Sequence, residues 1–243
     1  MSRDPGLERE HFDDWRRQIG RHAGDASGFL SYFDTAASVE EAFAQGAWDF
    51  SCNILRQPVP SLLGEPFEAT ALEIGFGAGR LAAAASRHFA RVIGVDIHED
   101  FDRARALLDE RGIANVDLVR GDGRTLPVDS ASVDFVYSFI VLQHLPLLET
   151  LESYLAEVRR VLKPGQPAIL YFGHLPFNRR LKAYEDLSTR GVDSSRENTL
   201  LLRPSFSRRL LRTAGLEVVA TGRSTKKPWR ADPGAQHYAV VTA

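Results

Sequence analysis

Short apolar runs alternate with polar, helix-patterned segments from residue 69 to residue 173. The runs Ala71–Ile74, Val92–Val95, Val116–Arg120, Val133–Phe139 and Ala168–Phe172 are too short for helices and read as strands. Between them Leu81–Ala85, Phe101–Arg111 and Leu148–Leu162 read as helices, the second closed by Gly112. Strands and helices in this order need right-handed crossovers, which lay the strands side by side in a parallel α/β sheet with helices on both faces. Beyond it, Pro204-Ser205 opens a helix over Phe206–Ala214 that ends at Gly215, and Leu216–Thr221 and His237–Val241 read as strands.

Upstream of the first strand the pattern changes. Phe12, Trp15 and Ile19, then Val39, Ala42 and Phe43, recur at helical spacing, and Pro58, Pro60 and Pro66 mark the handover to the sheet. The chain therefore divides into an N-terminal helical extension or cap, 1–66, and an α/β domain, 67–243. The extension either covers the strand ends or packs on the sheet edge. Residues 173–203 are polar and irregular and follow the fifth strand, where an open α/β sheet has its crevice, so they read as a substrate lid.

The richest stretch is ALEIGFGAGR, Ala71 to Arg80. Gly75, Gly77 and Gly79 fall at every second position just past a strand, where bare backbone turns sharply and admits close approach. Sixteen residues separate Gly79 from Asp96, which ends the second strand with a carboxylate suited to ribose hydroxyls. Together these form a Rossmann-type half. A dinucleotide loop would be G-x-G-x-x-G, but its sixth position here is Arg80.

With Glu73 ahead of it, the loop instead resembles the E/D-x-G-x-G-x-G motif of class I S-adenosylmethionine-dependent methyltransferases. The likeness is to the small-molecule type, similar to the ubiquinone and menaquinone methyltransferases. Gly121-Asp122-Gly123 with Leu126-Pro127, the Val133-Asp134-Phe135 strand opening, Ile140–Leu145 and Lys163-Pro164-Gly165 match further landmarks of that family in order, Gln166 standing where a second glycine is usual. The resemblance implies a Rossmann-like, seven-stranded, mostly parallel sheet with helices on both faces and a C-terminal antiparallel strand pair. It implies S-adenosyl-L-methionine as cofactor, with Glu73 at the methionine amino group and the backbone of Gly75, Gly77 and Gly79 in contact. Asp96 would meet the ribose, Ile97 would pack on the adenine, Asp122 and Gly123 would meet the adenine edge, and Phe139 would lie beside the methionine part. Glu73 and Asp96 also admit a plainer reading, as a strand-end acid and a helix N-cap. In the family an N-terminal extension often closes over the cofactor.

Composition narrows the partners. Lys plus Arg number 30 against 32 for Asp plus Glu in 243 residues, a near balance that gives no field to draw in nucleic acid. A single cysteine, Cys52, forms no internal bridge, and no apolar run approaches a membrane span or a signal sequence. These features point to a cytoplasmic protein with a small-molecule substrate and neither nucleic acid nor membrane as partner; oligomeric state leaves no trace in the sequence.

Two histidines follow strands at the crevice, His144 in LQHLP and His174 in YFGHLP, and an imidazole can take a proton near neutral pH. Both are candidate bases, although family members often use a histidine at the first position only to order the loop. Tyr171 and Tyr184 either orient a substrate or pack. Arg179, Arg180 and Arg196 either hold an anionic substrate group or stay solvated, and the same choice applies to Lys226, Lys227, Trp229 and Arg230 in the last loop. The histidines and acids show no metal-ligand spacing. The expected reaction is methyl transfer to a small molecule at an oxygen nucleophile. The alternatives are a non-catalytic binding subunit of the same fold and, further off, an NAD(P)-dependent oxidoreductase.

Overall fold

A computed structural model of the chain describes residues 5–22, 24, 26–33, 36–175, 182–190, 198–225 and 236–243. Helices α1 (Pro5–His22), α2 (Ala26–Phe33) and α3 (Val39–Asp49) come first, α3 running on into a π-helical turn at Phe50–Ile54, followed by α4 (Val59–Leu63). The Ser38 hydroxyl caps α3 by accepting from the Glu41 N–H at 3.1 Å, while Glu41 reaches back to the Ala37 N–H at 2.8 Å. Then come β1 (Thr70–Ile74), α5 (Arg80–Ala85), β2 (Arg91–Asp96), α6 (Phe101–Asp109), β3 (Val116–Arg120), β4 (Phe135–Ser138), α7 (Leu148–Val161) and β5 (Pro167–His174). The rest is β6 (Tyr184–Glu185), α8 (Leu187–Arg190), β7 (Leu201–Leu202), α9 (Pro204–Thr213), β8 (Glu217–Arg223) and β9 (Gln236–Thr242).

The sheet runs β3-β2-β1-β4-β5 with every pair parallel, and β9 and then β8 add antiparallel beyond β5. Ala71, Leu72 and Ile74 of the central strand are at most 1% exposed, as an apolar run covered on both faces requires. One face packs on α7 and α9 through Leu151, Leu155, Val158, Phe206 and Leu211; the other packs on α5 and the π-helical turn through Leu81, Ala82, Ala85, Phe50 and Ile54. A third cluster joins the N-terminal helices to α6 around Phe29, Leu30, Ala42, Phe76 and Leu107. Successive strands go outward from β1 on one side and from β4 on the other, so the order reverses between them, and there an open α/β sheet has its ligand crevice.

Three elements differ from the sequence expectation. The fourth strand is shorter, because Val133 only bridges to Leu162 and the backbone turns to φ +60° at Ile140, leaving Phe139 just past the strand end. The fifth strand is longer, reaching His174. Within 173–203, expected to be irregular, β7 pairs with Gly173 and His174, and β6 pairs with β7. Gly173 also pairs with Gln236 of β9, so β7 occupies the opposite edge, vacated where β4 stops at Ser138. Among the described residues no helix is long and apolar enough to cross a membrane.

Candidate functional site

The loop after β1 turns through glycines in the left-handed region, Gly75 at φ +78° and Gly77 at φ +54°. Space forbids a side chain as well: a Cβ on Gly75 would lie 2.3 Å from the Val141 side chain, and one on Gly77 would lie 2.9 Å from the Phe33 ring. Gly79, also at positive φ, donates its N–H to the Phe76 carbonyl at 2.8 Å and leads into α5.

Asp96, at the tip of β2, holds this loop. Its Oδ2 accepts from the Gly77 N–H at 2.8 Å, and its Oδ1 accepts from the N–H groups of Ile97 at 2.7 Å and His98 at 3.4 Å. Three donors leave capacity on a carboxylate with about four lone-pair sites. His98 completes the grip. Its Nε2–H donates to the Gly77 carbonyl at 3.0 Å, and its Nδ1 accepts from the Asp100 N–H at 3.1 Å, which fixes the tautomer. Sequence reasoning passed over His98; its signal was a histidine two positions after the strand-end acid, in a fully buried place.

Helix α1 lies across the loops that follow three strands. Arg16 Nε donates to the Ile97 carbonyl at 3.0 Å after β2, Glu8 accepts from Arg124 Nε at 2.8 Å after β3, and His11 Nε2 donates to the His144 carbonyl at 2.8 Å after β4. Beneath α1 and α2 is a cavity of about 590 Å³. Its floor is the glycine-rich loop, Asp96 and Ile97; its roof is His11, Trp15, Ile19, Tyr32 and Phe33; its far wall is Phe139, Val141, His144, Leu187 and Thr199. Charged and polar side chains, Glu10, Asp14, Arg17, Gln18 and Arg80, stand among these walls too. A cleft of that size with apolar surface and polar groups to fix orientation is what a small-molecule ligand requires.

The expected residues fall in three places. Gly75, Gly77, Asp96, Ile97, Phe139 and His144 line the cavity, while Gly79, at the start of α5, does not. Glu73 lies behind the loop, 2% exposed, where the Tyr137 hydroxyl donates to its Oε2 at 3.1 Å. Burial pushes its carboxyl up to about 8, against the Tyr137 hydrogen bond and the Arg80 charge and with the Asp96 charge. Asp122 and Gly123 are not in the wall. The Asp122 carboxylate turns back on its own loop, accepting from the N–H groups of Arg124 at 2.8 Å and Thr125 at 2.7 Å and from the Thr125 hydroxyl at 2.9 Å. Burial works to raise it, but those hydrogen bonds outweigh burial and hold it below the usual carboxylate range. The Phe12 ring occupies the space over Gly123, 2.6 Å from where a Cβ would stand.

The two histidines part company. His144 sits in the wall with its ring 5.1 Å from that of Trp15. Burial and the nearby His11 bring it down to about 4, so it is neutral near pH 7; the Gln143 amide donates to its Nε2 at 3.2 Å. His174 stands apart from the cavity. It accepts from Arg223 Nη2 at 3.2 Å and its ring meets His237 at 5.7 Å, because the end of β5 turns this side chain toward β8 and β9. Tyr171 donates to the Asn53 carbonyl at 2.8 Å and Tyr184 stacks on Phe206, so both pack and neither lines the cavity. Arg179, Arg180, Arg196, Lys226, Lys227, Trp229 and Arg230 lie outside the described residues. Among the described residues no group of three or more His, Cys, Asp or Glu is placed to hold a metal.

Comparison with known proteins agrees with this geometry. Residues 72–170 match a family described as a methyltransferase domain. The chain is 32% identical over 148 residues to a malonyl-[acyl-carrier protein] O-methyltransferase of Xylella fastidiosa, covering 55% of this chain and 47% of that protein. It is 39% identical to the 24-methylenesterol C-methyltransferase 2 of Arabidopsis thaliana over 41% of this chain and 28% of that one. The chain thus spans less than half the length of these curated relatives. The fold is that of an S-adenosylmethionine-dependent methyltransferase from Mesorhizobium loti, at TM-score 0.61 and 18% identity over 76% of this chain and 95% of that one.

Proposed function

The chain carries a class I S-adenosylmethionine-dependent methyltransferase domain, and on that premise we propose that it transfers a methyl group to an oxygen nucleophile of a small molecule. The observation that carries this reading is the roofed cavity itself, floored by the glycine-rich loop and Asp96 and walled by aromatic rings and two histidines.

The cofactor of this family is S-adenosylmethionine, which when bound supplies a methyl group already activated by a positively charged sulfur. The residues fit it. Bare backbone at Gly75 and Gly77 and the spare acceptor capacity of Asp96 suit a nucleoside, with Gly79 turning the chain into α5, Ile97 against the adenine and Phe139 beside the methionine part. Glu73 acts from behind the loop, and the Asp122 and Gly123 loop contributes by closing the end under Phe12 rather than by direct contact. The protein's own work is to align the acceptor with the methyl and exclude water, which can lower a barrier by up to roughly 7–11 kcal/mol. Residues 1–66 serve as the cap over 67–243, and 173–203 as the acceptor-side lid, to which Leu187 and Thr199 belong.

An oxygen acceptor is favoured by the histidines in the wall, since a hydroxyl must lose its proton as it is methylated. The similarities themselves divide, to an O-methyltransferase and to a C-methyltransferase, so the reading stands on the histidines. Incubation with methyl-labelled cofactor and a set of hydroxylated, amino and carbon-acid metabolites tests it. Label on a hydroxyl oxygen is expected; label only on nitrogen or carbon, or on nothing, overturns the reading.

A further inference from the structure

The cavity wall holds a second histidine that the sequence did not single out. His11 projects from α1 beside Trp15 and Phe12, ring centroids 6.3 and 6.0 Å apart, and forms part of the roof. Its Nε2 meets the His144 backbone carbonyl at 2.8 Å. A carbonyl only accepts, so the single hydrogen of the neutral ring belongs to Nε2, and Nδ1 carries a lone pair. No hydrogen bond engages Nδ1 among the described residues. The ring is thus held in one tautomer by a backbone group, with its basic nitrogen uncommitted, at the edge of the cleft.

We propose that His11 is the general base of the methyl transfer, taking the acceptor's hydroxyl proton on Nδ1. This rests on the oxygen-acceptor reading above. The substrate oxygen forms its bond to the methyl carbon as the carbon–sulfur bond of the cofactor breaks. The bonding pair stays on sulfur and discharges its positive charge. The hydroxyl proton passes to Nδ1, giving an imidazolium that keeps its Nε2–H on the His144 carbonyl and later releases the proton to solvent.

The choice between the two wall histidines follows from their surroundings. At about 4, His144 is too weak an acceptor to take a proton efficiently near neutral pH. Burial lowers His11 as well and is the larger effect, but unlike His144 it has two opposing influences, its hydrogen bond to the His144 carbonyl and the charge of Asp14. The Gln143 amide, moreover, already occupies the His144 Nε2 lone pair. The titratable and charged groups around it are Glu10, Asp14 and Arg17 on its own helix, with Arg17 pairing to Asp14 at 3.3 Å, His144 from the loop after β4, and Tyr32 from α2, whose hydroxyl burial and Asp14 hold up at about 12.

The test compares wild type with His11→Gln, whose amide keeps a donor for the His144 carbonyl. Expected are unchanged affinity for S-adenosylhomocysteine, a fall in kcat of about 10²–10⁴, and loss of the acid limb of the kcat–pH profile, which in wild type lies below the ordinary histidine range. Turnover within tenfold of wild type, or an acid limb that persists in the variant, overturns the proposal. Should that variant not fold, Asp14→Asn serves: removing a negative charge moves the limb to lower pH, and an unmoved limb overturns the proposal. Long-range ¹⁵N–¹H NMR of the protein alone is expected to show Nε2–H and bare Nδ1 at His11; a proton on Nδ1 at neutral pH overturns it. If wild type methylates no hydroxyl, the oxygen-acceptor reading falls and the role of His11 falls with it, whereas methylation of a hydroxyl with a proton on Nδ1 overturns the role of His11 alone.

Discussion

Phe33 of α2 rests on Gly77 so closely that a Cβ there would stand 2.9 Å from its ring. The same glycine is held by its N–H to Asp96 and by its carbonyl to His98, so the cap, the loop and the tip of β2 meet at one residue. Gly77→Ala is expected to disturb all three. An L-residue at φ +54° costs about 1–2 kcal/mol, and the ring must also move. Calorimetry should show S-adenosylhomocysteine bound more than tenfold more weakly; unchanged affinity would separate the cap from the cofactor site.

Asp49 and Arg80 tie α3 to the start of α5 by an ion pair of 2.7 Å, with side chains 0% and 7% exposed. The helices meet tightly there, since a Cβ on Gly46 would lie 2.7 Å from the Arg80 carbonyl oxygen. Asp49→Ala takes the carboxylate from beside a buried guanidinium, and breaking such a pair typically costs about 3–5 kcal/mol. Urea unfolding should register a loss of that order; a loss below about 1 kcal/mol would mean that this end of α5 relaxes into water.

Asp96→Asn tests the ribose reading. The variant keeps one oxygen for the loop N–H groups but loses the charge and half of the acceptor capacity. Affinity for S-adenosylhomocysteine should fall at least tenfold, about 1.4 kcal/mol. Equal affinity would leave Asp96 as a brace for the Gly77 turn and nothing more.

His174→Ala is expected to leave kcat and cofactor affinity near wild type, because its ring answers to Arg223 and His237 rather than to the cavity. A large fall in kcat with any labelled acceptor would place the end of β5 in the site after all.

What the sequence made legible was whatever local patterning controls. Strand and helix periodicity placed the sheet, and glycine spacing with Asp96 placed the loop, because backbone conformation and strand ends leave compositional marks. Phe12 over Gly123 and His11 beside His144 were not legible. They depend on how α1 lies across loops more than a hundred residues away, and a helix pattern such as Phe12, Trp15 and Ile19 reports an apolar face but not what it meets. The direction of the His174 side chain was not legible for the same reason. Its position after a strand matched the crevice, but the pairing of β5 with β9 and its approach to β8 decided where the side chain went. The strands β6 and β7 are two residues each and too short to show a period.

Glu73 should make stability and binding depend on pH in a defined sense. Its carboxyl is raised by burial from an ordinary 4.5 to about 8 in the folded protein. Below about pH 4.5 it is neutral folded or unfolded. As pH rises the unfolded chain ionises first and binds fewer protons than the folded one, so this contribution to stability is lost progressively until pH passes about 8. Glu73→Gln keeps the shape without the proton. Against wild type it should be relatively more stable at pH 8 than at pH 4.5 by urea unfolding, and the same slope in both proteins would contradict the shift. The cofactor adds a second readout. If the methionine ammonium approaches Glu73 as the family resemblance implies, its positive charge favours the carboxylate, so binding S-adenosylhomocysteine near pH 7 should release a proton from wild type and none from Glu73→Gln. Calorimetry in two buffers of different ionisation enthalpy measures that proton, and equal release from both proteins would take Glu73 out of the binding site.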